Sequence, residues 1–210
     1  MKNQWIEKLE LKLKDVDIFK NPRARKRMWE KKVKPYVLED GDILEFGVAD
    51  GGSIGWFPKH LPGFNVYGFD SFLGLPDDWN LGNTILKRGH FSTNGIAPKI
   101  ENVEFIVGKF EDTFQEWFSN YKGFASIIHI DCDLYSSTKL VLQYIKPHLK
   151  VGTFILFDEL THMKSHPQYI HNRQHEYKAF KEFLIDNPTI DFDVVGRTNI
   201  CQVAIKITKI

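Results

Sequence analysis

The feature that most constrains the fold is an alternation that begins at Asp42 and runs almost to the end of the chain. Short apolar runs close on turn residues and give way to segments with helical spacing. Ile43-Leu44-Glu45-Phe46-Gly47 reads as a first strand and Asn65–Asp70 as a second. Val103–Val107, Ser126–Asp131 and Thr153–Asp158 supply a third, fourth and fifth. Helices are expected over Glu111–Tyr121 and Ser137–Leu149, with Gly152 shortly beyond the second, where a helix end favours glycine. Strands this continuously apolar are buried on both faces, and their alternation with helices predicts a parallel sheet. After a His-rich loop, Arg173–Asp186 reads as a helix, and Asp191–Val195 and Gln202–Ile207 as a final pair of strands. The expected fold class is α/β: a doubly wound, Rossmann-like sheet, mostly parallel, with an antiparallel strand near the C-terminus.

Upstream, residues 4–20 place Trp5, Ile6, Leu9, Leu13 and Val16 at helical spacing. Asn21-Pro22 suits the cap and first turn of a second helix, from Arg23 to Lys34, which Pro35 ends. That helix is strongly basic, and its charged face either is solvated or grips an acidic substrate. Residues 1–38 are thus expected to form a helical cap on a core spanning 42–210, within a single domain of 210 residues. Its 28 basic and 27 acidic side chains leave a formal charge of +1, which gives no field to attract nucleic acid or a membrane surface. No stretch resembles a signal peptide or the ~18 apolar residues that cross a bilayer. Two cysteines, Cys132 and Cys201, offer no disulfide framework, so a reducing, cytoplasmic setting is expected. A homodimer is compatible with this chain. Seventeen Phe and five Trp exceed what a core of this size requires, so some rings are expected to face a ligand.

Chemistry concentrates where strands end. Glu45-Phe46-Gly47-Val48-Ala49-Asp50-Gly51-Gly52-Ser53 lies at the first strand–helix junction. Small residues at Gly47, Ala49 and Gly51 let the backbone turn tightly against a ligand, and N–H groups beyond Ser53 can face a polar group. Asp70, at the end of the second strand, is spaced to bind a ribose diol. The fourth strand closes on Asp131-Cys132-Asp133-Leu134-Tyr135 and the fifth on Asp158-Glu159. Joined by one crossover helix, these strands are expected to be neighbours. Asp131, Asp158 and Glu159 would then converge at the ligand-binding edge of the sheet. Carboxylates packed so closely raise one another's pKa, and a hard divalent cation such as Mg²⁺ resolves the conflict.

These segments together resemble a known family. Glu45-x-Gly47-x-Ala49-x-Gly51 is similar to the first motif of class I methyltransferases, whose opening acid lies near the methionine end of S-adenosylmethionine. Asp70-Ser71-Phe72-Leu73-Gly74-Leu75-Pro76 resembles a segment of the TylF-type macrocin and mycinamicin O-methyltransferases. Gly108-Lys109-Phe110-Glu111-Asp112-Thr113 and the Asp131–Thr138 motif resemble two more. The matches span about residues 42–160 in the right order. The resemblance implies an S-adenosylmethionine-dependent, Mg²⁺-dependent O-methyltransferase acting on a hydroxyl of a small molecule, often a sugar of a natural product. It implies Asp131, Asp158 and Glu159 as metal ligands and Asp133 as general base beside Asp131. Glu45, Gly47, Ala49, Gly51, Ser53, Asp70, Ser71, Lys109, Phe110, Glu111 and Asp131 would surround the cofactor.

The chain also departs from that pattern. Relatives usually carry two aspartates where Asp158-Glu159 stands. Gly95 and Pro98 spoil the helix expected over 92–100, Pro58 shortens the first crossover helix, and the chain is short for the family, so a macrolide acceptor does not follow. His162 and His166 are candidates for an auxiliary base or a substrate contact, and His171 and His175 have zinc-compatible spacing without an adjacent catalytic Glu. Phe72, Trp79 and Phe91 are candidates for an apolar pocket wall, and Cys132 for a small buried residue. Two rivals remain: a catechol or phenol O-methyltransferase, and an NAD-linked oxidoreductase or epimerase using Tyr135 and Lys139 as a Tyr-x-x-x-Lys pair.

Overall fold

The computed structural model describes residues 4–20, 23–82, 84–161 and 172–210. Eight strands form one sheet: β1 (Ile18–Phe19), β2 (Asp42–Phe46), β3 (Val66–Asp70), β6 (Glu104–Val107), β7 (Ala125–Ile130), β8 (Phe154–Phe157), β9 (Asp191–Thr198) and β10 (Val203–Lys209). Their spatial order is β1-β9-β10-β8-β7-β2-β3-β6. β10 runs antiparallel to both neighbours, and the other pairings are parallel. β4 (Trp79–Asn80) and β5 (Ile85–Leu86) make a separate small hairpin. The helices are α1 (Gln4–Lys14), α2 (Ala24–Met28), α3 (Trp56–His60), α4 (Phe110–Asn120), α5 (Tyr135–Ile145) and α6 (Glu176–Asp186). None of the helices among the described residues is long and apolar enough to cross a membrane.

The two-residue period of a strand sorts the central side chains onto two faces. Leu44, Phe46, Ile128, Ile130, Ile155 and Phe157 pack on one side with α1, α4, α5 and α6. Ile43, Ile127, Phe154 and Leu156 pack on the other with α2, α3 and the turn after α2. All six residues of β7 and all four of β8 are buried, as the unbroken apolar runs required. Each large side chain so buried contributes about 1.5–3 kcal/mol.

The doubly wound, mostly parallel sheet with its antiparallel strand near the C-terminus is therefore the expected fold. Pro58 leaves α3 only five residues long, and residues 92–100 form no helix. The β4–β5 hairpin was not expected, and two helices differ from expectation. The first helix ends at Lys14 instead of reaching 20, because Asp15 and Asp17 oppose the dipole at a helix C-terminus. Ile18 and Phe19 then add a strand beside Arg197 and Thr198. The basic helix starts at Ala24 and continues beyond Met28 as a π turn (Trp29–Val33) and a 3₁₀ turn (Lys34–Tyr36) around Pro35. Asn21 and Pro22, expected to open it, lie outside the described residues.

Candidate active site

At the C-terminal edge of β2, β3, β7 and β8, the loops enclose a cavity of about 420 Å³. Its first wall is the junction after β2. Gly47 adopts φ +88°, and a Cβ there would lie 1.9 Å from the Asp131 carbonyl oxygen. Glycine is thus demanded by the crossing of two strand ends as much as by a ligand. Ala49 also sits in the left-handed region (φ +48°), a strained conformation for a residue with a Cβ. Asp70 fastens this loop: one carboxylate oxygen accepts the Val48 and Ala49 N–H groups at 2.8 Å each, and the other accepts that of Phe72 at 2.8 Å. Gly74 repeats the logic of close approach, since a Cβ on it would meet the His90 carbonyl at 2.2 Å. The Asp70–Pro76 segment thereby folds back on residues 89–95 and forms a second wall.

Gly47, Ala49, Ser53, Asp70, Ser71, Lys109, Phe110 and Glu111 line the cavity together with Asp131, Asp133, Asp158 and Glu159. Gly51 and Glu45 do not. Glu45 is fully buried beneath the loop, where it accepts the Ser53 hydroxyl proton at 2.8 Å and meets His129 Nδ1 at 2.9 Å. Trp79 and Phe91 line the cavity beside Leu75, Leu81 and Leu86, whereas Phe72 is buried against Phe105. His162, His166 and His171 lie outside the described residues. His175 stands 6.2 Å from the Trp79 ring, at the start of α6.

Four residues of the site had not been anticipated. His129 is paired with Glu45 across β2 and β7, and its Nε2 lies 3.4 Å from Asp158. A polar pair inside two otherwise apolar strands was the available signal, as was the i, i+2 spacing of His129 and Asp131. Arg25 reaches in from α2 to Asp158 (2.7 Å) and Asp131 (3.2 Å). Glu176 of α6, fully buried, accepts the Glu159 N–H at 2.8 Å, and Gln202 donates to Asp158 at 3.3 Å. Arg25, Glu176 and Gln202 are distant in sequence from the motifs and left no local signal.

Six carboxylates thus gather around two basic groups. Burial works against a charged His129, but Glu45 and Asp158 outweigh it and raise its pKa to about 10. Burial pushes Asp158 up, yet Arg25 and His129 hold it down to about 2. Asp131, farther from Arg25, goes the other way. Burial and the nearby Asp158 charge raise it to about 7. Burial and neighbouring acids also raise Asp133, Glu159 and Glu176. One oxygen of Glu159 and one of Glu176 are buried without a hydrogen-bond partner. Donor atoms fall into two sets that share Asp131, each within 4.8 Å: His129, Asp131 and Asp158, and Asp131, Asp133 and Glu159. Asp158 and Glu159 do not share a set. Hard oxygen donors, excess negative charge and an unpaired buried carboxylate oxygen fit a divalent cation. Asp133 itself has φ +60°, a conformation that Asp tolerates better than most residues.

Tyr135 and Lys139 do not line the cavity. The Tyr135 hydroxyl donates to Glu182 at 2.6 Å, and Lys139 donates to the same carboxylate at 3.0 Å, which ties the pair to the α5–α6 contact.

A sheet of this order, with a glycine-rich loop and an acid flanking one cavity at its C-terminal edge, defines the class I methyltransferase fold. Among solved structures, the calicheamicin methyltransferase CalS11 superimposes with a TM-score of 0.65 at 22% identity, over 87% of this chain and 77% of that one. The O-methyltransferase NovP gives 0.58 at 20% identity, over 88% and 78%. An O-methyltransferase from Bacillus cereus in complex with SAH gives 0.54 at 17% identity, over 97% and 90%. Residues 44–160, more than half the chain, match a family described as a methyltransferase domain, and the protein belongs to that family. A Streptomyces olivaceus enzyme, 8-demethyl-8-(2,3-dimethoxy-alpha-L-rhamnosyl)-tetracenomycin-C 4'-O-methyltransferase, is 27% identical over 186 residues, 76% of this chain and 67% of that one. The protein is thus a methyltransferase, as its motifs implied.

Proposed function

We propose that the protein transfers a methyl group from S-adenosylmethionine to a hydroxyl of a sugar, free or attached to a small natural product, with a divalent cation such as Mg²⁺ at the acid cluster. The observation that carries this reading is the meeting, across one cavity, of the Gly47–Ser53 loop and Asp70 with Asp131, Asp133 and Glu159. The names of the relatives support the acceptor class: one acts on a rhamnosyl tetracenomycin, and CalS11 is described as a TDP-rhamnose 3'-O-methyltransferase.

The chain's own residues divide the work. Asp70 would hold a ribose hydroxyl of the cofactor with the lone pair that its three amide contacts leave free. The residues from Lys109 to Glu111, at the start of α4, flank the adenine. Leu75, Trp79, Leu81 and Leu86 form an apolar wall that positions the acceptor and sheds water from it. Aligning the acceptor oxygen with the sulfonium methyl can remove as much as ~7–11 kcal/mol of the barrier. Asp133, which lines the cavity two residues beyond Asp131, takes the hydroxyl proton as the O–C bond forms and the C–S bond breaks. A bound Mg²⁺ would neutralise the clustered acids and lower the pKa of the acceptor hydroxyl. Asp131, common to both donor sets, would hold it with Asp158, and Glu159 would approach it from the other set.

Calorimetry with S-adenosylmethionine, and with NAD as the control, tests the cofactor half of the reading. Binding of the first alone is expected, and binding of NAD alone would end it. Turnover should disappear in chelator and return with Mg²⁺, and full turnover in excess chelator would remove the cation.

A further inference from the structure

Arg25 is the second residue of α2, and one nitrogen of its guanidinium, Nη1, bridges Oδ2 of Asp158 at 2.7 Å and Oδ2 of Asp131 at 3.2 Å. Its guanidinium carbon lies 5.4 Å from the centre of the Trp29 ring. The adjacent Lys26 donates to the Gly52 carbonyl at 3.0 Å, so α2 is fastened to the cavity rim at two points. Asp158 has little to spare: His129 lies against Oδ1, and Arg25 and Gln202 donate to Oδ2. An ion that draws on Asp158 must take the place of one of these partners. His129 is fixed, because its ring belongs to a central strand and is gripped by Glu45 and packed 5.0 Å from Trp29. Arg25 hangs on a long flexible side chain from a five-residue helix.

We propose that Arg25 and a divalent cation compete for Asp131 and Asp158, so that docking of α2 and loading of the ion oppose each other. The inference rests on the divalent-cation reading above. Two cations on one pair of carboxylates repel, and the same oxygens cannot serve both fully. Arg25 therefore acts as a positioning residue: it holds the two acids together before the ion arrives and yields Asp158 when it does. Such coupling is reciprocal, so weakening the grip of Arg25 strengthens ion binding by the same factor.

The test uses Mn²⁺ as probe, with free ion measured by electron paramagnetic resonance, on the full chain, Arg25→Met and Arg25→Lys. Arg25→Met should bind Mn²⁺ more tightly, by about 5–150-fold, the usual span of coupling between sites. Arg25→Lys should return toward wild-type affinity, because it restores the competing charge. In the unaltered protein, Mn²⁺ should accelerate amide hydrogen exchange over residues 24–33, a measurement that needs no variant to fold. Equal or weaker Mn²⁺ binding by Arg25→Met, or exchange over 24–33 that slows or stays unchanged, overturns the competition while leaving the cation reading intact. If neither protein binds Mn²⁺, the cation reading falls and the competition falls with it.

Discussion

Replacing His129 with leucine removes a group that touches acids from both neighbouring strands, Glu45 of β2 and Asp158 after β8. His129 is fully buried, lies 2.9 Å from Glu45 and 3.4 Å from Asp158, and is protonated at neutral pH because its pKa is raised to about 10. Leucine fills much of the space, so packing loss is small. The cost comes from stranding Glu45, which keeps only the Ser53 hydroxyl, and from weakening the hold on Asp158. Breaking a buried pair by removing one partner costs about 3–5 kcal/mol. In a domain of this size that lowers Tm by roughly 6–20 °C. The pH dependence has a definite sign. The folded state binds the His129 proton more tightly than the unfolded chain, whose pKa is near 6.5. Its contribution is therefore complete below pH 6.5 and is lost as pH rises through about 10. Urea unfolding of wild type and His129→Leu, both without metal, from pH 6 to 10, separates this group from the other raised acids. The stability gap should be widest at pH 6 and should close on the alkaline side. Adding Glu45→Met should recover part of the loss, since an apolar pair leaves no stranded charge. A single variant within about 1 kcal/mol of wild type at pH 6 refutes the reasoning, as does a gap that does not narrow.

Three further outcomes follow from the same geometry. Asp133→Asn should lower kcat by ~10²–10⁴ with cofactor affinity nearly unchanged, because only the proton acceptor is lost; wild-type turnover would reduce Asp133 to a structural role. Asp70→Ala should weaken S-adenosylmethionine binding about 10–150-fold in calorimetry, the equivalent of ~1.5–3 kcal/mol for a lost charged acceptor, and unchanged affinity would remove Asp70 from the cofactor site. Tyr135→Phe should leave methyl transfer within a few-fold of wild type, since its hydroxyl serves Glu182 and Lys139 outside the cavity; loss of all turnover would revive a catalytic tyrosine.

What was legible in the sequence were the features written locally. The apolar runs that became β2, β3, β7 and β8 announced themselves because burial on both faces leaves few polar positions. The glycine-rich junction and the two acidic strand ends were readable because each sits at a fixed offset from a strand. Elements too short to show a period were not: β1 and the β4–β5 hairpin have two residues per strand, and no pattern distinguishes two residues from a turn. The charge balance of the site was also hidden. Glu45 stood in the motif and suggested contact with the cofactor, but the pleat turns it beneath the loop toward His129. Arg25 looked like one of several bases on a helix face that was either solvated or gripped an acidic substrate, and only the docking of α2 brings it to Asp131 and Asp158. Glu176 lies 17 residues beyond Glu159 and joins it through a backbone contact that no spacing rule encodes.

The most direct test of the central claim follows the methyl group itself. S-adenosylmethionine labelled with ¹³C in the methyl group is incubated with Mg²⁺ and rhamnosyl acceptors, and the products are located by NMR. Label on a sugar oxygen, present with wild type and nearly absent with Asp133→Asn, is the result expected. Label carried to nitrogen or carbon, or acceptors methylated equally well by Asp133→Asn, would contradict it.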